Sequence, residues 1–234
     1  MFPVGLFLMF SEWGKQFLWT TTIFLGLQAV ITFILLYKLA ELKSVISVTT
    51  LIFVISYSIE LTGLNTGFPF GYYTYTDVLK PVINGVPIAI SFAWFAVSTN
   101  SLLVSKYFLK DGSVTIASIS SVFILSADIL LEPFAAFVNN YWVWAEGSIP
   151  IQNFFSWLIL GFVFSIILSK AIKWHADFYH KKSLLRIPFL IMGINVFNYT
   201  IINLANGYYM ITITGLLIFT IVLSSLIKLK PNEN

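Results

Sequence analysis

The chain has 234 residues, of which 58% are hydrophobic and only 10% are charged, and its formal net charge is +3. An average soluble domain carries about 25% charged residues, so the composition excludes a soluble enzyme or nucleic-acid module and predicts an all-α polytopic membrane protein. The chain contains no cysteine, which excludes disulfides, thiolate catalysis and cysteine-ligated metals.

A membrane-spanning helix needs about 20 mostly apolar residues. We predict seven such spans, at about 17–38, 44–62, 86–106, 113–133, 151–171, 187–205 and 208–228. Residues 1–16 begin with an apolar stretch that is too short to cross and lacks a signal-peptide cleavage pattern, so we expect an interfacial segment there. Residues 1–234 are expected to form a single transmembrane domain.

The basic residues divide unevenly between the two sets of loops. Only Lys15 and Lys80 lie on one side, and the other eleven follow spans 1, 3, 5 and 7: Lys38, Lys43, Lys106, Lys110, Lys170, Lys173, Lys181, Lys182, Arg186, Lys228 and Lys230. The positive-inside rule therefore predicts a multi-pass protein of the cell membrane, with the N-terminus outside and the C-terminus in the cytoplasm.

Two stretches of the sequence resemble one another. Gly85–Trp94 (GVPIAISFAW) and Ser148–Trp157 (SIPIQNFFSW) share Pro, Ile, Phe and Trp at the same offsets, and an aromatic-x-aromatic triplet precedes each, Tyr73–Tyr75 in one case and Trp142–Trp144 in the other. We therefore predict that 44–106 and 113–171 are parallel copies of one helical hairpin, and that 187–228 is a degenerate third copy. Parallel repeats also occur in transporters, so the repeat alone does not decide the function.

Three acids lie where a charge is costly, because an ionised carboxylate within the hydrocarbon costs about 2.5–3.5 kcal/mol on insertion scales. Glu60 ends an apolar run, and Asp128 and Glu132 are four residues apart on one helix face. One interpretation is structural: Asp128 and Glu132 cap the helix end near Pro133, and Glu60 bonds to Asn65 or Thr62. The other is that the acids converge in one cavity, where burial and mutual repulsion keep a carboxyl group protonated for donation to an alkene.

Aromatic and amide side chains near the same membrane face are candidates for substrate binding, because aromatic faces stabilise a carbocation. The candidates are Tyr72, Tyr73, Trp94, Trp142, Trp144, Asn153, Trp157, Asn198, Tyr199 and Asn206. The asparagines have an alternative role as hydrogen-bonding contacts between helices, and the aromatic residues have one as an interfacial belt.

Two motifs carry a resemblance to a known family: E-x2-G…G-F-P-F-G-Y-Y-x-Y…G-V-P-I from Glu60, and D-x3-E-P-x-A…W-x-W…I-P-x-x-N-F-x-x-W from Asp128. They resemble the membrane carotenoid hydratases of the bisanhydrobacterioruberin hydratase type and, more distantly, the heterodimeric and fungal lycopene cyclases. The resemblance implies a hydro-lyase that adds water to the terminal 1,2 double bond of an acyclic carotenoid without a cofactor or metal. For this reaction we expect Asp128, Glu132 and Glu60 to be the catalytic acid and base residues, with the proton donor left open.

Two alternative functions remain at the level of the sequence. A carotenoid cyclase would begin with the same protonation and let an internal double bond capture the cation. A small transporter or lipid-binding membrane protein is the second alternative, and the parallel repeat and the intramembrane acids are consistent with it. The expected partners are a carotenoid or other polyene, membrane lipid and other membrane enzymes of carotenoid synthesis, and no nucleic acid.

Overall fold

The computed structural model describes residues 16–110 and 112–228. Within these residues, seven helices are long and apolar enough to cross a membrane, which confirms the predicted all-α architecture. They are α1 (Thr20–Leu39), α2 (Leu42–Thr66), α3 (Ile88–Phe108), α4 (Ser113–Glu132), α5 (Ile151–Ala171), α6 (Lys182–Ala205) and α7 (Tyr209–Lys228). The predicted interfacial segment 1–16 lies outside the described residues, apart from residue 16.

Short strands join the helices at one end of the bundle. They are β1 (Tyr73–Tyr75), β2 (Val82–Ile83), β3 (Val86–Pro87) and β4 (Trp142–Trp144). β2 and β3 form a small hairpin before α3, and β1 pairs antiparallel with β4. We call this the strand end, and the opposite end, which holds the lysine-rich loop between α5 and α6, the basic end.

Three helix boundaries differ from the sequence prediction by four or more residues. α2 runs four residues past the predicted end and stops at Gly67, whose φ of +74° terminates it. The helical chain does not end at Pro133 but continues from α4 as a π-helical segment, Pro133–Val138. α6 begins at Lys182 rather than 187, because a helix extends beyond its apolar run into the basic loop.

α3 is the central helix of the bundle, and 72% of its most apolar stretch is buried, more than in any other described span. Its polar run Ser98–Ser101 is buried, which a lipid-facing helix could not accommodate. Asn100 donates to Thr32 of α1 over 2.9 Å, so an interhelical hydrogen bond satisfies part of this polarity. The position of α3 brings its first turns into contact with both α2 and α5, where the candidate site lies.

The basic end is closed by contacts between loops. The backbone N–H of Glu41 donates to the carbonyl of Lys173, and that of His175 donates to Leu39. The Lys106 ammonium lies 5.3 Å from the ring centroids of Trp174 and Phe178. At the surface, Asp177 pairs with Lys181 at 3.1 Å, and hydrogen bonding to Lys181 lowers the pKa of this carboxyl.

Candidate active site

Glu60 lies near the end of α2 and is held by three side-chain donors. The Tyr73 and Tyr75 hydroxyls donate to its Oε2 over 2.7 and 2.8 Å, and the Trp94 indole N–H donates to its Oε1 over 3.1 Å. The two tyrosines come from alternate positions of β1, so they point to the same face of the strand. Asn65 donates to Leu61 and Thr62 donates to Ser58, so the hydrogen bonds to Glu60 considered from the sequence are not formed.

Glu132 occupies the corresponding place at the end of α4. The indole N–H groups of Trp142 and Trp144 donate to its Oε2 over 3.3 and 3.1 Å, and the Asn153 amide donates to its Oε1 over 3.1 Å. The two tryptophans again come from alternate positions of a strand, β4. Each carboxyl group is therefore held by an aromatic-x-aromatic strand and one residue of the following helix.

Asp128 lies one turn before Glu132 and has a different environment. Its Oδ2 accepts a hydrogen bond of 3.1 Å from the Asn153 amide nitrogen, which also donates to Glu132. Its Oδ1 is buried and has no hydrogen-bond partner among the described residues. Asn153 thus fixes the two carboxyl groups relative to each other, and one oxygen of Asp128 is left free.

The pairing of β1 with β4 joins the two carboxyl sites. Tyr73 lies opposite Trp144, Thr74 opposite Val143, and Tyr75 opposite Trp142. The ring centroids are 5.3 Å apart in the first aromatic pair and 6.2 Å apart in the second. The donors to Glu60 therefore pack directly against the donors to Glu132, in one aromatic layer at the strand end.

Trp94 and Trp157, which align in the sequence repeat, also meet. Their rings stack with centroids 4.0 Å apart and an interplanar angle of 18°. Corresponding residues of the two hairpins thus meet at the centre of the strand pair, Thr74 with Val143, and in the helices, whereas each outer tyrosine of β1 faces the counterpart of the other one. A two-fold relationship between 44–106 and 113–171, with its axis near the centre of the β1–β4 pair, would give this arrangement.

The two hairpins differ at the buried position one helical turn before the carboxyl group. The residue one turn before the carboxyl group is Asp128 in α4 and Ser56 in α2. Ser56 donates to Ser91 of α3 over 3.2 Å, whereas Asp128 accepts a hydrogen bond from Asn153 of α5. The first hairpin therefore carries one buried acid and the second carries two.

The tyrosines around Glu60 are kept neutral by their surroundings. Burial and the carboxyl group of Glu60 raise the pKa of Tyr73, and Glu132 adds to this effect from the other side. Burial and Glu60 raise the pKa of Tyr75 well above its usual value in the same way. Both phenols are therefore hydrogen-bond donors over the physiological pH range.

A cavity of about 290 Å³ lies at the surface of the strand end. It is lined by Thr66, Gly67, Phe68, Gly71, Tyr72, Glu146, Pro150 and Gln152. Tyr72, predicted to bind substrate, lines this cavity and is exposed, while its neighbour Tyr73 points into the protein. Glu146 is also exposed, as a loop position suggests.

The predicted α6 residues occupy several environments. Asn198 Oδ1 is buried with no hydrogen-bond partner in the described structure, and the ring of Tyr199 lies 5.7 Å from that of Phe134. Asn206 donates to the carbonyl of Ile202 at the end of its own helix.

Two other α6 asparagines connect helices. Asn195 exchanges hydrogen bonds with Gln28, and Asn203 donates to the carbonyl of Leu130. Within the described part of the chain, none of these hydrogen bonds reaches the three acids.

The sequence reasoning missed Tyr75 as a site residue, although it donates to Glu60 as closely as Tyr73 does. The spacing contained the signal, because a Tyr-x-Tyr triplet aligned with Trp-x-Trp places both aromatic residues on one strand face. Ser56 and Ser91 were missed as well, and only the structural equivalence of Ser56 with Asp128 identifies them.

Among the described residues, no group of three or more His, Asp or Glu side chains is placed to hold a metal ion.

Comparison with known proteins gives two matches. A family described as "Carotenoid biosynthesis protein" matches residues 20–222. A relative from Haloarcula japonica, named bisanhydrobacterioruberin hydratase, is 31% identical over 115 residues. That stretch covers 46% of this chain and 39% of the relative, so the similarity spans well under half of the relative's length. No solved structure matches the chain.

Proposed function

Because the chain belongs to the carotenoid biosynthesis protein family, we propose that it is a carotenoid-modifying enzyme of the cell membrane, and specifically a carotenoid 1,2-hydratase. In this proposal the substrate is a carotenoid with an acyclic end, and water adds across its terminal double bond to give a tertiary alcohol. The reacting groups are the acids at the strand end, with Asp128 as the proton donor.

The observation that carries the proposal is the environment of Asp128. An ionised carboxylate has only acceptor sites, whereas a protonated one has an O–H to donate. Asp128 is 1% exposed, shares its single donor with Glu132, and has one oxygen without a partner among the described residues. Such an oxygen suits a neutral carboxyl group whose proton is available to a substrate.

The reaction begins with proton transfer from Asp128 Oδ1 to C2 of the terminal double bond. The π electrons form the new C–H bond, which leaves a tertiary cation at C1 and a carboxylate at Asp128. A water oxygen then bonds to C1 and gives up one proton to that carboxylate. The acid is regenerated, and the substrate has gained one molecule of water.

The aromatic layer and Glu60 stabilise the cation. A cation over an aromatic face gains about 2 kcal/mol when it is desolvated, and tryptophan is the best partner. The stacked Trp94 and Trp157 rings and the Trp142 and Trp144 indoles supply such faces close to the acids. Glu60 accepts from three donors, which suits an ionised carboxylate that opposes the positive charge.

Asn153 is a positioning residue in this mechanism. Its amide nitrogen donates to both Asp128 and Glu132, so it sets the direction of the free Asp128 oxygen. Glu132, held on its other oxygen by two indoles, keeps Asn153 in place. Together they hold the donor in one orientation for a substrate that has no polar group at its reacting end.

Pigment analysis tests the proposal in cells that accumulate the acyclic carotenoid lycopene. The intact chain is expected to yield a product that is heavier by one water molecule for each hydrated end. Asp128→Asn is expected to yield none, while Ser126→Ala, which removes a hydroxyl bonded to Val122 of the same helix, gives the wild-type product. A product of unchanged mass with a ring at its end would identify a cyclase, and full activity of Asp128→Asn would exclude this acid as the donor.

A further inference from the structure

An apolar groove of about 230 Å³ lies between α2 and α3 at the level of the candidate site. We call it the α2–α3 groove, and it is lined by Phe53, Val54, Tyr57, Ile83, Val86, Ile88 and Ser91. Val54 and Ile83 are 57% and 53% exposed at its rim, on the surface that faces lipid in a membrane-spanning bundle. The groove is therefore open to the hydrocarbon and has no charged residue in its lining.

The α2–α3 groove reaches one serine of α3, Ser91. Ser91 is buried there and accepts a hydrogen bond of 3.2 Å from Ser56, which is also buried. Ser56 lies one turn before Glu60 on the same face of α2, and Ser91 lies one turn before Trp94 on α3. The groove thus leads from the lipid-facing surface to a point one helical turn from the Glu60–Trp94 hydrogen bond.

The β2–β3 hairpin covers one end of the groove and is fixed there by Tyr57. The Tyr57 hydroxyl donates to the carbonyl of Ile83 over 3.2 Å and accepts from the Asn84 amide over 3.3 Å. Phe53, on the groove wall, is supported by Phe92 and Phe95, whose ring centroids lie 5.6 and 5.8 Å away. The wall is therefore aromatic and rigidly packed, as a site for a stiff conjugated chain requires.

We infer that the α2–α3 groove is the binding site through which the acyclic end of a polyene passes from the membrane to the carboxyl groups. The inference rests on the proposed function, because it is the chemistry at the inner end that favours a polyene over a lipid acyl chain. A saturated acyl chain has no double bond for the acids to protonate, so nothing favours placing its end at the serine pair beside Glu60 and Trp94. A polyene must bring its terminal double bond to the acids, and its π system packs well on Phe53 and Tyr57.

The absence of cysteine from the sequence permits a reversible test. In Val54→Cys, a bulky reagent attached through a disulfide would fill the mouth of the groove, and a reductant would remove it. Val122→Cys is the matched control, because Val122 is also lipid-facing, 55% exposed, and lies on α4. Lycopene is the probe, and its binding to the purified full chain is followed by quenching of tryptophan fluorescence, with the hydrated product measured in parallel.

The labelled Val54→Cys protein is expected to bind lycopene at least tenfold more weakly than the same protein after reduction, while the Val122→Cys control binds equally in both states. Unchanged lycopene binding by labelled Val54→Cys would overturn the inference, and so would equal competition by a saturated phospholipid. The binding readout separates this inference from the proposed function. If the label blocks binding but the unlabelled protein makes no hydrated product, the groove assignment stands and the hydratase assignment fails.

Discussion

At the scale of single residues, the three buried acids differ in how many donors each receives. A hydrogen bond to a charged group contributes about 1.5–3 kcal/mol, and an ionised carboxylate in the hydrocarbon costs about 2.5–3.5 kcal/mol. Three side-chain donors each to Glu60 and to Glu132 compensate for burial of a carboxylate better than one shared donor can. Asp128 has only the donor that it shares with Glu132, so the neutral form is favoured at Asp128.

Glu60→Gln is expected to fold and to keep part of its activity. The amide oxygen can accept from Trp94, and the two tyrosine hydroxyls can rotate to accept from the new NH₂ group. Loss of the negative charge removes cation stabilisation and should slow turnover by about tenfold or more, since 1.4 kcal/mol is tenfold in rate.

Asp128→Asn should lower the turnover rate by about 10²–10⁴-fold, the usual contribution of a general acid. Initial rates measured at equal protein level show which variant is slower. A faster Asp128→Asn than Glu60→Gln would make Glu60 the proton donor and Asp128 the group that stabilises the cation.

Tyr73 and Tyr75 are expected to stay neutral when exposed tyrosines ionise near pH 10. Their pKa values are raised by burial and by Glu60, so the folded state holds two protons that the unfolded chain releases at high pH. The stabilisation is present below pH 10 and is lost as the pH rises above it. Ultraviolet absorbance between pH 9 and 11 should therefore have the same amplitude in the wild type and in Tyr73→Phe/Tyr75→Phe. A loss of amplitude equal to two tyrosines would show that both phenols ionise with the exposed ones.

At the scale of elements, the β1–β4 pair is the feature that turns two hairpins into one site. The sequence predicted the hairpins, the Pro-Ile-Phe-Trp alignment and the acids, because these depend on local spacing. It could not predict that Tyr73 faces Trp144 or that Trp94 stacks on Trp157, since those contacts depend on how two helix pairs dock. The free oxygen of Asp128 depends instead on how α5 packs against α4 within one hairpin, because Asn153 comes from α5.

Gly71, just before β1, is expected to be intolerant of a side chain. Its φ is +112°, and a Cβ there would lie 2.7 Å from Cγ of Pro150 at the start of α5. Gly71→Ala should therefore lower the thermal midpoint in detergent and separate β1 from its partner, with a cost of about 1–3 kcal/mol. Gly147→Ala is the matched control, because its φ is also positive but no atom lies within 4 Å of the added Cβ. Equal midpoints for the two variants would show that the Gly71–Pro150 contact is unimportant.

At the scale of the whole molecule, the lysine-rich loop and the candidate active site lie at opposite ends of the bundle. The lysines of the α5–α6 loop lie at the basic end, and the acids with their aromatic donors lie near the strand end. The sequence predicted the spans well because hydropathy determines them. Their ends were less predictable, because Gly67, the π-helical segment after Pro133 and the basic loop before α6 set them locally.

The orientation is a prediction that cysteine labelling can check. In the cysteine-free chain, Ser148→Cys places a thiol at the exposed strand end and Lys182→Cys places one at the basic end. A membrane-impermeant maleimide applied to intact cells should label the Ser148→Cys variant, because the basic end is predicted to face the cytoplasm. The Lys182→Cys variant should react only after permeabilisation, and the wild-type chain provides the unlabelled control. The reverse labelling pattern would place the strand end in the cytoplasm.

The central claim is that Asp128 protonates an acyclic polyene and that water captures the cation. The most direct measurement supplies the purified protein with lycopene in water labelled with heavy oxygen and determines the mass of the product. One heavy oxygen is expected for each hydrated end with the wild-type protein, and none with Asp128→Asn. A product without the label, or equal labelling by Asp128→Asn, would contradict the claim.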